Sequence, residues 1–217
     1  MASRKEKKWS EAELIDTFGL TRLSGNQAFP LLTEWLNAST NLTLGEQERF
    51  DKMLKKVGSR IIGWQEEDLK MKFIALVLEL SNLEDDDRYN TYFERTIEAT
   101  VEGHYLKTKT DFMVAKGILD MPKVPYFHFQ EWKKLRDPSG DPVAQLIEAF
   151  LIAHEKNKNE HPIYGATVSG KFWDFFVFHN KTYCVSQSYD CTKGDELLLI
   201  IAILRKFRVI LETTLLD

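Results

Sequence analysis

The chain has very few cysteines. Its 217 residues contain only two, Cys184 and Cys191. They lack the spacing of metal-binding cysteine motifs, and a single pair does not define a disulfide framework. The start, MASRKEKKWSEAEL, is positively charged but is not followed by the apolar segment of a secretory signal peptide. A reducing compartment is the simpler expectation, and we predict a cytoplasmic protein.

Long hydrophobic runs and an excess of positive charge are also missing. The longest apolar run, residues 197–204, is far shorter than the roughly 20 residues of a membrane-spanning helix, so no membrane partner is predicted. Acidic residues outnumber basic ones by 33 to 29, which gives a net charge of −4. Any contact with nucleic acid therefore has to come from a local basic patch. The basic stretch RKEKK, residues 4–8, is either a weak DNA contact or a solubilising tail.

The composition that remains, 43% hydrophobic and 29% charged, is that of a globular protein with a sizeable core. The first part of the chain is typical of helices. TLGEQERFDKMLKKVG, residues 43–58, has apolar residues at helical spacing and Gly58 as a stop. WQEEDLKMKFIALVLELSNL, residues 64–83, predicts a stronger helix with acids in its first turn. We assign residues 1–63 to an N-terminal helical extension.

From about Ile97 the hydrophobic period changes from helical to alternating. Three segments rich in β-branched and aromatic residues predict strands: IEATVEGHYL (97–106), TDFMVAKGIL (110–119) and VPYFHFQEWKK (124–134). His128, among aromatic residues in the third segment, is expected in the core. The sequence thus moves from helices to a meander of strands.

Further along, Asp141 and Pro142 have the residue types of a helix N-cap and first helical position. Residues 164–189 then predict more strands, with a turn near Asn180 and Lys181. The last segment, DELLLIIAILRKFRVILETT (195–214), is apolar almost all round. This predicts either a buried helix or the interface of a homo-oligomer. The predicted fold class is an α/β (α+β) layered domain.

Two acids and a lysine are predicted to converge on the second and third strands. If these strands form a hairpin with its connection near residues 117–122, Asp111 lies opposite or diagonal to Glu131. Because side chains two residues apart in a strand share a face, Lys133 lies on the face of Glu131. The hairpin therefore presents two carboxylates and an ammonium at one end.

Such a group has a specific chemical use. Neighbouring carboxylates repel unless a proton or a cation lies between them. Mg²⁺ is commonly held by one or two carboxylates together with waters and phosphate oxygens. It can activate a water, and a lysine can orient that water or stabilise charge at phosphorus. The alternative is a set of surface ion pairs, which are worth only about 0–1 kcal/mol each.

The order of these motifs resembles the PD-(D/E)XK nuclease superfamily, and within it uncharacterised bacterial members. Asp111 matches the acid of the second core strand, Glu131 and Lys133 match E-x-K, and Gln145 falls in the first turn of the next helix. The resemblance implies a restriction-endonuclease-like core over residues 64–217, with a mixed central sheet flanked by helices. It also implies a metal-dependent nuclease acting on DNA with Mg²⁺ or Mn²⁺. Asp111 and Glu131 would bind the metal, and Lys133 and Gln145 would complete the catalytic set.

The chain departs from the family pattern at two positions. Thr110 precedes the first acid where the family name has proline, and Ala149 stands where some members with a helix glutamine have tyrosine. Many members add an acid from the preceding helix, and here Glu66 and Glu67 are both candidates. The alternative function is a catalytically inactive nuclease-fold module that binds DNA or a protein partner.

Overall fold

The computed structural model describes residues 7–25, 29–83, 87–135, 141–158 and 161–216. In this part of the chain a mixed sheet of eight strands is flanked by helices on both faces. The predicted class, an α/β (α+β) fold with a mixed central sheet and flanking helices, is confirmed. The more specific restriction-endonuclease-like core stays a prediction. No helix among the described residues is both long and apolar enough to cross a membrane.

The sheet combines antiparallel and parallel neighbours. Its strands are β1 (Thr21–Ser24), β2 (Asn90–Val101), β3 (His104–Ile118), β4 (Met121–Lys133), β5 (Ile163–Ser169), β6 (Phe172–His179), β7 (Thr182–Val185) and β8 (Tyr189–Asp190). Their order is β1-β7-β6-β5-β4-β3-β2, and β8 pairs with β6. The pairs β4–β5 and β1–β7 are parallel. Parallel neighbours need a crossover connection, and a helix supplies it between β4 and β5.

The helices of the described residues are α1 (Glu11–Phe18), α2 (Pro30–Leu36), α3 (Leu44–Arg60), α4 (Glu66–Leu69), α5 (Ala75–Leu80), α6 (Pro142–Lys156) and α7 (Gly194–Ile210). Helices α1 and α6 pack on one face of the sheet. Helices α2, α3, α5 and α7 pack on the other. The predicted core position of His128 is confirmed, since it is fully buried beside Trp35 and Phe207. Burial lowers the pKa of His128 to about 3.

The strand meander exists, but the first predicted strand is placed incorrectly. Residues 97–106 do not form one strand: Glu102 and Gly103, with φ of 47° and 83°, make the turn between β2 and β3. A two-residue turn with positive φ at both positions matches the twist of a hairpin. In the sequence, Tyr105 continues the apolar alternation of Ile97, Ala99 and Val101, which hides the turn, although Tyr105 is exposed and Leu106 is buried. Strand β2 begins at Asn90, well before Ile97.

The helix predicted over residues 64–83 is present with an irregularity. Helices α4 and α5 are joined without a break by a π-helical turn, Lys70–Ile74. A π turn adds a residue to the helical repeat and changes the direction of the side chains near it. Helix α3 ends at Arg60, so Gly58 is not its stop.

The predicted N-terminal extension, residues 1–63, shares the sheet and the core. Strand β1 pairs with β7, and the Trp35 indole donates a hydrogen bond of 2.8 Å to the carbonyl oxygen of Ile203. The segment thus contains a strand as well as the helices α1, α2 and α3, of which the sequence predicted α3 individually. Residues 1–6, which include the start of the basic stretch, lie outside the described residues, and the boundary at residue 63 stays a prediction.

The later helices follow the sequence closely. The Asp141 side chain accepts a hydrogen bond of 3.0 Å from the backbone N–H of Ala144, and Pro142 is the first helical residue of α6. The turn at Asn180 and Lys181 is confirmed by their φ values of 48° and 59°. Helix α7 has a largely buried apolar surface within the chain. These features place β4 beside α6, where the candidate site lies.

Candidate active site

Asp111 and Glu131 lie at the end of the β3–β4 pairing. The last paired residues are Phe112 and Gln130; Asp111 and Glu131 follow directly on the two strands, and the charge of Asp111 acts on Glu131. Residues opposite each other in antiparallel strands project to the same side of the sheet. Lys133 is two residues beyond Glu131 in the same strand. The register therefore brings the predicted acids together and places the lysine on their side.

Within the described part of the chain, no residue donates a hydrogen bond to the Glu131 carboxylate. Glu131 itself is 1% exposed. Burial raises the pKa of Glu131 well above its usual range, and the charge of Asp111 raises it further, against the opposing charge of Lys133. The neighbouring Thr110 hydroxyl also lowers this pKa, but less than burial raises it, and it donates to the carbonyl oxygens of Phe112 at 2.9 Å and Gln130 at 3.3 Å. A carboxylate in this state requires a proton or a cation.

Asp111, by contrast, is held from two sides. The backbone N–H of Trp132 donates to its Oδ2 at 2.7 Å, and the Lys70 ammonium lies 2.9 Å from its Oδ1. Burial raises the pKa of Asp111, and the effects of Trp132, Lys70 and Lys133 oppose this rise without cancelling it. Both acids are therefore harder to ionise than free carboxylates.

Lys70 is a member of the site that the sequence analysis missed. Its Nζ lies 2.7 Å from Glu94 Oε1, 2.9 Å from Asp111 Oδ1 and 3.0 Å from Glu66 Oε1. Although burial alone would lower the pKa of Lys70, these three carboxylates raise it. The sequence signal was the i, i+4 spacing from Glu66 to Lys70, but such pairs are common on exposed helices.

Glu94 was missed as well, because the first predicted strand began after it. It interrupts the β2–β3 pairing between Phe93, opposite Phe112, and Arg95, opposite Thr110. Its φ of 55° is left-handed, which is uncommon for a residue with a side chain. Hydrogen bonds from Lys109 and Lys70 lower the pKa of Glu94 to about 2, although burial opposes this. Glu94 is therefore an ionised member of the cluster.

The structure distinguishes the two acids of α4. Glu66 contacts Lys70, and its Oε2 lies 4.0 Å from the Lys133 Nζ. Glu67 is exposed and lines a neighbouring cleft of about 350 Å³ beside Trp132. Glu66 is thus the acid of the preceding helix that faces the predicted lysine.

Lys133 and Gln145 both line a second cleft of about 250 Å³, which we call the basic cleft. Its lining residues are Lys7, Lys8, Trp9, Lys107, Thr108, Lys109, Lys133, Asp141, Gln145 and Glu148. The Oε1 atom of Gln145 is buried without a hydrogen-bond partner among the described residues. The structure therefore brings Gln145 to the same cleft as Lys133, while Asp111 lines the other cleft with Lys70.

The donor chemistry of the site fits a hard divalent cation. Glu131 offers two buried oxygens without donors among the described residues, and Asp111 and Glu66 offer carboxylate oxygens that contact Lys70. Carboxylate oxygens are the ligands that Mg²⁺ prefers. In this structure the cation at Asp111 and Glu66 is the Lys70 ammonium. Among the described residues no group of three or more His, Cys, Asp or Glu side chains is arranged to hold a metal ion.

Comparisons with known proteins do not assign the chain to a family. No protein-family model matches it, and no curated protein is significantly similar to it.

Proposed function

We propose that the chain is a metal-dependent nuclease that hydrolyses phosphodiester bonds, with DNA as the substrate and Mg²⁺ or Mn²⁺ as the cofactor. The observation that carries this proposal is the Glu131 carboxylate, which is buried beside Asp111 with neither oxygen hydrogen-bonded to a described residue. Burying a carboxylate without donors is costly, and a structural role would be served better by an amide or an apolar side chain. A bound cation would neutralise the charge of this carboxylate and offset the cost of its burial.

Each residue of the group has a role that its position supports. Asp111 and Glu131 would hold the metal ion, which supplies neutralisation of phosphate charge and a lower pKa for a water molecule. The backbone N–H of Trp132 fixes the orientation of Asp111. Lys133 is partly exposed at the basic cleft, where its ammonium can orient the attacking water and stabilise charge on the phosphate. Gln145 lines the same cleft, where its side-chain amide can hydrogen-bond to that water.

The direct test is cleavage of plasmid and single-stranded DNA in Mg²⁺ or Mn²⁺, with EDTA as the negative condition. We expect Glu131→Ala and Lys133→Ala each to reduce the cleavage rate by about 10²-fold or more, because each removes a group needed at the reacting phosphate. Both variants should remain folded by circular dichroism.

Lys52→Ala is the matched control for Lys133→Ala. Lys52 is exposed on α3, on the face of the sheet opposite α6, so its loss should leave the rate unchanged. Full activity of either site variant on the DNA that the wild type cleaves contradicts the proposal.

One observation favours the second candidate, a catalytically inactive nuclease-fold module. The Lys70 ammonium contacts Asp111, Glu66 and Glu94, so it neutralises part of the acidic group without a metal ion. In such a module the cluster would be a buried ion-pair network, and DNA or protein binding would not depend on a divalent cation. Binding of Mn²⁺ that requires Asp111 distinguishes the nuclease from the module.

A further inference from the structure

The basic cleft has a charge opposite to that of the whole chain. The chain carries a net charge of −4, yet five lysines and only two acids line this cleft. This is the kind of local patch that an acidic protein needs in order to bind a polyanion. The cleft also reaches Lys133, which connects it to the candidate active site.

The two acids of the cleft are already engaged by backbone donors. Asp141 accepts the N–H of Ala144 at 3.0 Å as the N-cap of α6, and Glu148 accepts the N–H of Lys107 at 3.1 Å. With five lysines and two acids, the lining itself carries an excess of positive charge, although Lys109 also contacts Glu94 and Lys133 lies 4.0 Å from Glu66.

The N-terminal segment holds two of the lysines at the cleft. Trp9 packs against Phe18 and His104, with ring centroids 5.8 Å and 6.1 Å apart. The Lys7 ammonium lies over the Trp9 ring, 3.5 Å from its centroid, and 3.3 Å from Glu13. Lys8 is exposed and, within the described part of the chain, forms no ion pair. Trp9 thus anchors a short basic segment beside the sheet.

We propose that the basic cleft, with Lys7 and Lys8 as one wall, binds the sugar-phosphate backbone of a DNA strand next to Lys133. The cleft suits a strand better than a compact apolar ligand because its lining is mostly polar and charged. Arrayed lysines match successive phosphates, whose contacts supply most of the sequence-independent affinity of nucleic-acid binding. This inference rests on the proposed function only for the identity of the polyanion.

The test is fluorescence anisotropy with a labelled single-stranded DNA oligonucleotide in EDTA, so that binding is measured without cleavage. The double variant Lys7→Glu/Lys8→Glu should bind about tenfold or more weakly. Its plot of log affinity against log salt concentration should also be shallower, by about 0.7 for each lost phosphate contact. The control Lys52→Glu/Lys55→Glu changes the net charge equally on exposed α3 positions and should bind within about twofold of the wild type.

The outcomes separate this inference from the proposed function. Equal weakening of DNA binding by the two double variants would show that only net charge matters, and it would contradict DNA binding in the basic cleft. Unchanged binding by Lys7→Glu/Lys8→Glu, or no binding by the wild type, would also overturn it. Glu131→Ala should retain binding in EDTA while losing cleavage. If no form of the protein cleaves DNA but Lys7→Glu/Lys8→Glu still binds DNA more weakly than its control, the nuclease proposal is wrong. DNA binding in the basic cleft is then still supported.

Discussion

Asp190 and Glu131 are both buried carboxylates with a lysine in the neighbourhood, but their surroundings differ. Asp190 Oδ2 lies 2.5 Å from the Lys171 ammonium. Its Oδ1 accepts hydrogen bonds from the backbone N–H and hydroxyl of Thr192 at 3.0 Å and 2.6 Å. Glu131 is no more exposed, yet neither of its oxygens accepts a hydrogen bond from a described residue.

The pKa values of the two groups shift in opposite directions for this reason. Burial acts to raise the pKa of both carboxyls. At Asp190, Lys171 and Thr192 outweigh burial and lower the pKa. At Glu131, burial and the charge of Asp111 prevail over Lys133 and raise it. A nearby lysine therefore does not by itself single out a candidate functional acid, whereas a buried carboxylate without donors among the described residues does.

The largest expected effect on stability comes from Asp190→Ala. Removing this carboxylate leaves the Lys171 ammonium and the Thr192 donors without their acceptor, so the free energy of unfolding should fall by about 1–3 kcal/mol. Urea denaturation measures this change. Asp16→Ala, at an exposed position of α1, is the control and should change stability by less than about 0.5 kcal/mol. Equal stability of Asp190→Ala and the wild type would contradict a structural role for Asp190.

Glu131→Gln should have the opposite sign. Glutamine has nearly the same shape but cannot ionise, so at neutral pH in EDTA the variant should be more stable than the wild type by about 1 kcal/mol. Denaturation of the two proteins in the same buffer measures the difference. Glu67→Gln, at an exposed position, is the matched control and should have no effect. A clear loss of stability in Glu131→Gln would mean that the carboxylate has stabilising partners.

The advantage of Glu131→Gln should depend on pH in a defined direction. Because the folded pKa of Glu131 is raised, the folded state binds its proton more tightly than the unfolded state. The wild type therefore loses relative stability as the pH rises from the ordinary glutamate pKa through the raised one. The gain in the variant should be small below the ordinary pKa and grow across this window. A constant gain would assign the effect to packing instead.

The features that could be predicted from the sequence are those that depend on residue preferences and on the regular period of a strand. The N-cap at Asp141 and the convergence of Asp111, Glu131 and Lys133 followed from residue preferences and from the two-residue period of strands. Strand β1 was not predicted. It has only four residues, without a clear alternation, and its parallel pairing with β7 depends on a distant part of the chain.

The missed members of the site depend on irregular backbone. Glu94 faces the cluster from a left-handed residue within a strand, and Lys70 begins the π-helical turn. Neither irregularity follows from hydrophobic periodicity, which describes ideal helices and strands. Only the folded structure shows that Lys70 contacts both Asp111 and Glu94.

The last predicted effect, on metal affinity rather than on stability, concerns Lys70, and it tests whether the carboxylates around Asp111 bind a divalent cation. Lys70→Met removes the ammonium that contacts Asp111, Glu66 and Glu94 while keeping an unbranched side chain. Since the ammonium and a divalent cation would compete for the same carboxylates, the variant should bind Mn²⁺ about tenfold more tightly, or about 1.4 kcal/mol. Isothermal titration calorimetry measures this affinity, with Asp111→Ala to show that the heat comes from the site.

Lys72→Met is the matched control for this experiment. It removes the same charge two residues away, but Lys72 pairs with Asp68 and not with the cluster, so its Mn²⁺ affinity should equal that of the wild type. Equal tightening in both lysine variants would indicate a general charge effect rather than competition at the carboxylates. Absence of Asp111-dependent heat in both the wild type and Lys70→Met would favour the inactive module, because Glu131 would then be a carboxyl that stays protonated in the core.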